Sequence, residues 1–177
     1  MNNDIAKILA DEEETQQIVK ELSAKITNDY KDRSSKLLLL GILKGSVVFM
    51  GDLMKHIDLP IEIDFMKVSS YGSGTASSGK VNIMLDLHRS DMANLDVLIV
   101  EDIIDTGFTM KELLRMLEEK HPAEIHISSL LVKPGNLQVD LDIPYRCFDI
   151  ANEFIVGYGL DYDHEGRNLR HIYQVVE

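Results

Sequence analysis

Val97-Leu98-Ile99-Val100-Glu101-Asp102-Ile103-Ile104-Asp105-Thr106-Gly107-Phe108-Thr109 is the stretch whose reading decides the fold. Val97 to Val100 is apolar and β-rich, as a strand buried on both faces requires. A helical pattern, Thr109-Met110-Lys111-Glu112-Leu113-Leu114, begins directly after the turn. The carboxylates Glu101, Asp102 and Asp105 therefore stand between the end of a strand and the start of a helix. In open α/β sheets ligands collect at that boundary. The first N–H groups of a helix have no partner within it, so they suit an anion such as a phosphate. Thr106, Gly107 and Thr109 are small enough to let a phosphate approach the backbone, and the two hydroxyls can donate to it.

The rest of the chain supplies the layers around this segment. Ile18, Val19, Leu22, Ile26 and Tyr30 predict a helix over Glu12–Tyr30, with Asp11 and Glu14 resembling a capping box. Lys36–Leu43 reads as a buried strand and Val47–Ile57 as the helix that follows it, with Val48, Leu53, Met54 and Ile57 as its core residues. Ile61–Phe65 alternates as a half-buried strand does and runs into a Gly/Ser-rich loop, Ser69 to Gly79, before a second strand, Lys80–Leu87. This pair predicts a hairpin with a long connection, a length typical of lids. A helix to Glu119 ends near Pro122, followed by a strand over Ile125–Val132, a turn at Lys133-Pro134-Gly135-Asn136 and a strand over Tyr145–Ile150. Phe154–Gly157 is an extended stretch or packed turn, and Ile172–Val176 a last short strand. Buried strands alternating with helices predict an α/β domain with a mainly parallel sheet and an added hairpin.

Composition narrows the function. At 177 residues and 45% hydrophobic content the chain accommodates one full core, so a single domain is expected over 1–177. A formal net charge of -12 argues against nucleic acid as a partner, because backbone binding needs a basic face. One cysteine, Cys147, excludes an internal disulfide, and Met1-Asn2-Asn3-Asp4 has neither the basic nor the apolar region of a signal peptide, so a cytoplasmic protein is expected. Leu37–Leu43, the longest apolar run, is far short of the roughly 20 residues that cross a bilayer, so no membrane partner is expected.

Neither the dinucleotide pattern Gly-x-Gly-x-x-Gly after a strand nor the P-loop pattern Gly-x-x-x-x-Gly-Lys-Ser/Thr occurs. Asp161-Tyr162-Asp163-His164-Glu165-Gly166 imitates the start of a calcium loop, but Ile172 stands at position twelve, where a bidentate Glu is needed. The histidines have no zinc spacing, and Cys147 within Tyr145-Arg146-Cys147-Phe148 reads as a buried small residue. Acids beside a phosphate site need a reason. A phosphorylated ribose supplies one: its hydroxyls donate to carboxylates while its phosphate accepts from N–H groups, with magnesium between the charges.

Glu101-Asp102-Ile103-Ile104-Asp105-Thr106-Gly107, after Val-Leu-Ile-Val, resembles the phosphoribosyl pyrophosphate signature of the purine phosphoribosyltransferases, in particular their hypoxanthine-guanine branch. The resemblance extends over most of the chain, with several motifs in the family's order. It implies a type I phosphoribosyltransferase-like fold: a mainly parallel twisted sheet flanked by helices, a small hood and a long mobile hairpin loop. The binding segment for phosphoribosyl pyrophosphate would be Glu101, Asp102, Ile104, Asp105, Thr106, Gly107, Phe108 and Thr109. Leu43-Lys44-Gly45 resembles the pyrophosphate loop, with Lys44 and Gly45 as contacts alongside Arg167 and the lid residues Ser70 and Tyr71. Lys133 resembles the lysine that donates to the purine 6-oxo group. Phe154 matches the base-stacking position, Ile155 a carbonyl contact to the base, and Asp161 a residue near base and metal. Glu101, Asp102 and Asp161 are the implied magnesium ligands.

Taken singly, these residues have ordinary readings. Lys44-Gly45 is a common strand-end turn, Lys133 a solvated strand terminus and Phe154 a core aromatic. Phe108 departs from the family's pattern, which admits a lysine there, so the 5′-phosphate would rest on backbone N–H groups, Thr106 and Thr109. The Gly/Ser content of the lid raises the entropy lost on closure while easing product release.

The implied reaction is phosphoribosyl transfer from phosphoribosyl pyrophosphate to a 6-oxopurine, giving a nucleoside monophosphate and pyrophosphate. Asp105 would take or share the purine N7 proton, and Glu101 and Asp102 would fix the ribose hydroxyls. Lys133 disfavours adenine, because an ammonium opposes an amino group's hydrogens. Hypoxanthine and guanine both stay open, and xanthine is not resolved. The competing class, a regulator on the same fold that binds ligand or RNA without catalysis, is disfavoured by Asp105 and by the acidity. The family's habit implies a homodimer or homotetramer.

Overall fold

The computed structural model describes residues 5–70, 81–87, 89 and 91–175. In chain order the elements are β1 (Ile5–Ala10), α1 (Glu12–Tyr30), β2 (Lys36–Leu43), α2 (Val47–His56), β3 (Ile61–Ser70), β4 (Val81–Leu85), β5 (Leu95–Ile104), α3 (Phe108–Glu118), β6 (Glu124–Val132), β7 (Tyr145–Asp149), β8 (Phe154–Val156) and β9 (Ile172–Val175). A sheet of six strands runs β4-β3-β2-β5-β6-β7. All its pairings are parallel except β3 with β4, the expected hairpin. Gly45, Gly107 and Lys133 follow β2, β5 and β6, the central strands, so three of the expected site segments emerge at one end of the sheet.

Packing explains why these strands are central. Successive side chains of β2 enter opposite faces. Leu37 and Leu39 join one apolar cluster with Val19, Leu22 and Ile26 of α1 and Phe49, Met50 and Leu53 of α2. Leu38, Leu40 and Ile42 join a second with Met110, Leu113 and Leu117 of α3. The sheet is thus a filled middle layer, which is why its strands read as continuous apolar runs. Asp11 caps α1 as expected, its carboxylate accepting from Glu14 N at 2.8 Å. Of the residues assigned to the α2 core, Leu53 and Ile57 are buried, but Met54 is 37% exposed and Phe49 and Met50 take its place. Ser46, itself buried, ties the helix entrance to β2 by donating to Ile42 O at 2.6 Å.

β1 pairs with β9 at the other end of the chain, and β9 with β8, forming a separate three-stranded antiparallel sheet that is the expected hood. The turn after β8 fastens this hood to the body. Tyr158 OH donates to Asp52 on α2 at 2.6 Å, and Gln16 on α1 donates to the same oxygen at 2.5 Å. Gly159, at φ +102°, lies so close to the loop after β2 that a Cβ there would fall 2.3 Å from the Gly45 carbonyl oxygen. Only glycine permits that approach. The backbone of Ser70 closes β3 opposite Val81. Tyr71 and the rest of the expected lid, 72–79, lie outside the described residues.

Candidate active site

β5 delivers the acids and splits them between environments. Glu101 is buried, and its Oε1 accepts from Asp102 N at 3.1 Å. Burial pushes the Glu101 carboxyl well above the usual carboxylate range, and the neighbouring Asp102 adds to the rise. Asp102 abuts the loop after β2: a Cβ on Gly45 would fall 1.4 Å from Asp102 Oδ2. The Gly45 backbone therefore lies against a carboxylate on one side and against Gly159 of the hood on the other. Lys44 is exposed beside it, across a cis Leu43-Lys44 peptide.

Gly107 is the N-cap of α3 at φ +84°, and a Cβ there would run into Val139, Leu141 and Leu137 at 2.7, 2.8 and 3.3 Å. Lys111 N makes the first bond back to Gly107 O, at 2.9 Å. The N–H groups of Phe108, Thr109 and Met110 precede that bond and are left for a ligand. They edge a small cavity of about 130 Å³ lined by Glu101, Ile104, Asp105, Thr106, Gly107 and Thr109. Ile104 is otherwise a core residue. Phe108 lines a separate groove on α3 with Lys111 and Arg115, which accords with the expectation that its backbone N–H, not its ring, faces an anion.

A second cavity, about 290 Å³, is lined by Asp102, Asp105, Lys133, Glu153, Phe154, Ile155 and Asp161. Asp105 and Ile103 line both cavities. Lys133, which reads alone as a solvated terminus, has a side chain only 10% exposed, with Nζ 3.5 Å from Asp105 Oδ2. Phe154, which reads alone as core, is 56% exposed and lines this cavity, while Ile155 is buried. Asp161 is held by the hood itself: Arg167 pairs with Asp161 Oδ1 at 2.5 Å and donates to Gly159 O at 2.7 Å. Arg167, expected at the pyrophosphate, is thus turned toward Asp161.

Two side chains escaped the sequence reading. Asn136 Nδ2 donates to Asp105 Oδ1 and to Asn152 Oδ1, each at 2.8 Å, and Asn152 Oδ1 also accepts from Lys133 Nζ at 3.3 Å. Their only sequence signal is position: Asn136 ends the turn after Lys133, and Asn152 precedes Phe154 by two residues.

A roomier concavity than either of these two cavities lies elsewhere. A groove of about 570 Å³ runs between the end of α3, the start of β6 and residues 140–142, at the opposite end of the sheet from these side chains. Size alone would point to the wrong place. The smaller cavities combine the anion-ready helix start, a carboxylate, a buried ammonium and an exposed aromatic side chain.

This arrangement, an acid-tipped central strand running into a phosphate-ready helix under a separate hood, defines a class, and residues 6–163 match the family model of the phosphoribosyl transferase domain. The hypoxanthine-guanine phosphoribosyltransferase of Streptococcus pneumoniae is 49% identical over 172 residues, which span 97% of this chain and 94% of that protein. A hypoxanthine phosphoribosyltransferase of Staphylococcus aureus superposes with a TM-score of 0.92 at 45% identity, covering 99% of this chain and 94% of that one. The Bacillus anthracis hypoxanthine-guanine phosphoribosyltransferase, solved with a HEPES molecule in its active site, gives 0.91 at 40% identity, covering 97% and 99%. The chain belongs to the hypoxanthine-guanine phosphoribosyltransferase family.

Proposed function

We propose that the protein transfers the phosphoribosyl group of phosphoribosyl pyrophosphate to hypoxanthine, guanine or both, releasing pyrophosphate and forming IMP or GMP. The observation that carries this reading is Asp105, which lines both the phosphate-sized cavity at the start of α3 and the cavity holding Lys133 and Phe154. A sugar phosphate seated in the first and a flat base in the second would meet at Asp105.

The bond from the anomeric carbon to the diphosphate oxygen breaks, and a bond from that carbon to a purine nitrogen forms. The ribose passes through an oxocarbenium-like state, as in other glycosidic cleavages. Asp105 takes the proton that the purine N7 sheds as the new bond draws electrons from the ring. Lys133 donates to the 6-oxo oxygen, Phe154 stacks on the base, and the Ile155 carbonyl faces the base edge. Thr106, Thr109 and the first N–H groups of α3 hold the 5′-phosphate, while Asp102 and Glu101 bind the ribose hydroxyls. The Lys44-Gly45 loop takes the leaving diphosphate, with Arg167, Ser70 and Tyr71 as its further contacts.

Among the described residues no three His, Cys, Asp or Glu side chains form a metal cage. Asp102 and Asp161 nevertheless line the same cavity as separate hard oxygen donors. That set fits magnesium, which takes one or two carboxylates and fills its shell with water and substrate phosphates. Glu101, Asp102 and Asp161 are the residues to hold it. When bound, magnesium would neutralise charge on the diphosphate.

No helix among the described residues is long and apolar enough to cross a membrane, and the lone Cys147 supports a cytoplasmic setting. A homodimer or homotetramer is supported by apolar residues left in the open: Val47 and Met54, two turns apart on α2, and Ile63 on β3. Initial rates with phosphoribosyl pyrophosphate, magnesium and hypoxanthine, guanine, xanthine or adenine in parallel test the activity. The 6-oxopurines should yield monophosphate and adenine should not; no product from any base overturns the reading.

A further inference from the structure

Asp105, Lys133, Asn152 and Asn136 form a closed ring of side chains at the edge of the larger cavity. The donor sense of every link is fixed by chemistry. Lysine can only donate, so the Asn152 atom that meets Lys133 must be its oxygen, and a carboxylate can only accept, so the Asn136 atom that meets Asp105 must be its nitrogen. The link between the two amides follows: Asn136 donates one hydrogen to Asp105 and the other to Asn152, whose oxygen spends its two lone pairs on Asn136 and Lys133. Both functional amide atoms are saturated. The Lys133 ammonium keeps one of its three hydrogens for whatever enters the cavity, and each Asp105 oxygen keeps a lone pair.

We propose that Asn136 and Asn152 are positioning residues that hold the Asp105 carboxylate and the Lys133 ammonium at the separation and orientation needed to grip N7 and the 6-oxo group of one purine. This rests on the reading above that Asp105 and Lys133 contact the base. The separation matters because a fused base presents its oxygen and N7 on one edge at a fixed spacing. Without the amides, Asp105 and Lys133 would be free to collapse into a tighter ion pair that spends the groups meant for the purine. The ring balances that attraction by giving each charged group a second partner. Of the four ring members only Asp105 also lines the 5′-phosphate cavity, while Lys133, Asn136 and Asn152 do not, so loss of an asparagine should affect purine binding more than phosphoribosyl pyrophosphate binding.

Steady-state kinetics of Asn152→Leu, Asn152→Asp and Asn136→Asp, beside Asp105→Asn and Lys133→Met, test this with magnesium, phosphoribosyl pyrophosphate and hypoxanthine. Asn152→Leu keeps the branched shape but removes the acceptor, and should raise KM for hypoxanthine about tenfold, the scale of one lost bond to a charged group, with KM for phosphoribosyl pyrophosphate within about twofold. Asn152→Asp keeps both acceptors and should bring the hypoxanthine KM back to within about threefold of the unaltered protein. Asn136→Asp sets an acceptor against two acceptors and should lower kcat/KM for hypoxanthine by about tenfold or more. An unchanged KM in Asn152→Leu, an Asn152→Asp protein as impaired as Asn152→Leu, or a parallel rise in both KM values overturns the proposal. Should Asn152→Leu fail to fold, as read by its thermal melt, the contrast between Asn152→Asp and Asn136→Asp decides alone. If Asp105→Asn and Lys133→Met keep full turnover and affinity, the underlying assignment of the base site falls. If those two fail while the asparagine variants behave as the unaltered protein does, only the ring's role falls.

Discussion

The proposed mechanism places its proton transfer on Asp105 because three constraints meet on that residue. It is the first residue beyond β5, it precedes the αL glycine that opens α3, and it lies opposite the buried Lys133. Replacing it with Asn keeps shape and removes the proton acceptor. Asp105→Asn should lower kcat by about 100-fold or more, the scale of general base catalysis, while KM for phosphoribosyl pyrophosphate changes little. An initial-rate comparison that found full turnover would remove Asp105 from the base role. Gly45 is the other residue set by contact, since any side chain there meets Asp102. Gly45→Ala must displace the Asp102 carboxylate from its place against the loop after β2. KM for phosphoribosyl pyrophosphate should rise by about tenfold or more, and hypoxanthine affinity should change less.

At the level of elements, α3 and α2 show how the fold presents these residues. Gly107→Ala forces an L side chain into positive φ and into Leu137, Val139 and Leu141. The cost of about 1–3 kcal/mol corresponds to a Tm drop of roughly 2–10 °C, measurable by calorimetry. On α2, burial pushes the Asp52 carboxyl up, but donation from Lys55, Tyr158 and Gln16 outweighs it and holds Asp52 below its ordinary value of 3.8. The folded protein therefore gains stability from ionised Asp52 above that value and loses it as pH falls through the lower folded one. Asp52→Asn should melt below the unaltered protein at pH 7, and the gap should narrow as pH falls below 3.8 and through the lower folded value; a gap independent of pH would mean the charge is not what ties the hood turn to α2. These elements were legible to different degrees. α1, β2 and β5 announce themselves through a cap, a continuous apolar run and the acids at its end. β1 does not, because its partner β9 sits at the far end of the chain and the pairing carries register shifts. Asn136 and Asn152 were unreadable for a related reason: a neutral amide in a turn carries no motif, and its role exists only once β6 and the segment before β8 have converged. Lys133 and Phe154 were readable only through the family's pattern, since burial of the first and exposure of the second reverse their ordinary readings.

Over the whole molecule, the sheet's two faces are closed by α1 with α2 and by α3, yet the outer side of α2 is not finished as a solvent-facing surface. Val47 and Met54 are 47% and 37% exposed, and Ile63 on β3 is 47% exposed. Alternation along β3 puts Ile63 on the side of Ile61 and Phe65, which pack in the cluster containing Phe49 and Met50 of α2. A net charge of -12 works against casual association, so contact here needs enough apolar burial to overcome repulsion. A symmetric pairing through the outer side of α2 meets that need by burying the same patch twice. It would also draw in the entrance of α2, two residues after Gly45, and so brace the diphosphate loop from outside. The double substitution Val47→Glu with Met54→Glu should convert the assembly to monomer in light scattering coupled to gel filtration. Each monomer should keep its melting cooperativity, because neither residue belongs to a core cluster. KM for phosphoribosyl pyrophosphate should rise more than KM for the purine, since the loop that loses its brace is the one proposed to take the diphosphate. An unaltered protein that already runs as a monomer, or a doubly substituted one that keeps the same mass, would exclude this side of α2 as the contact.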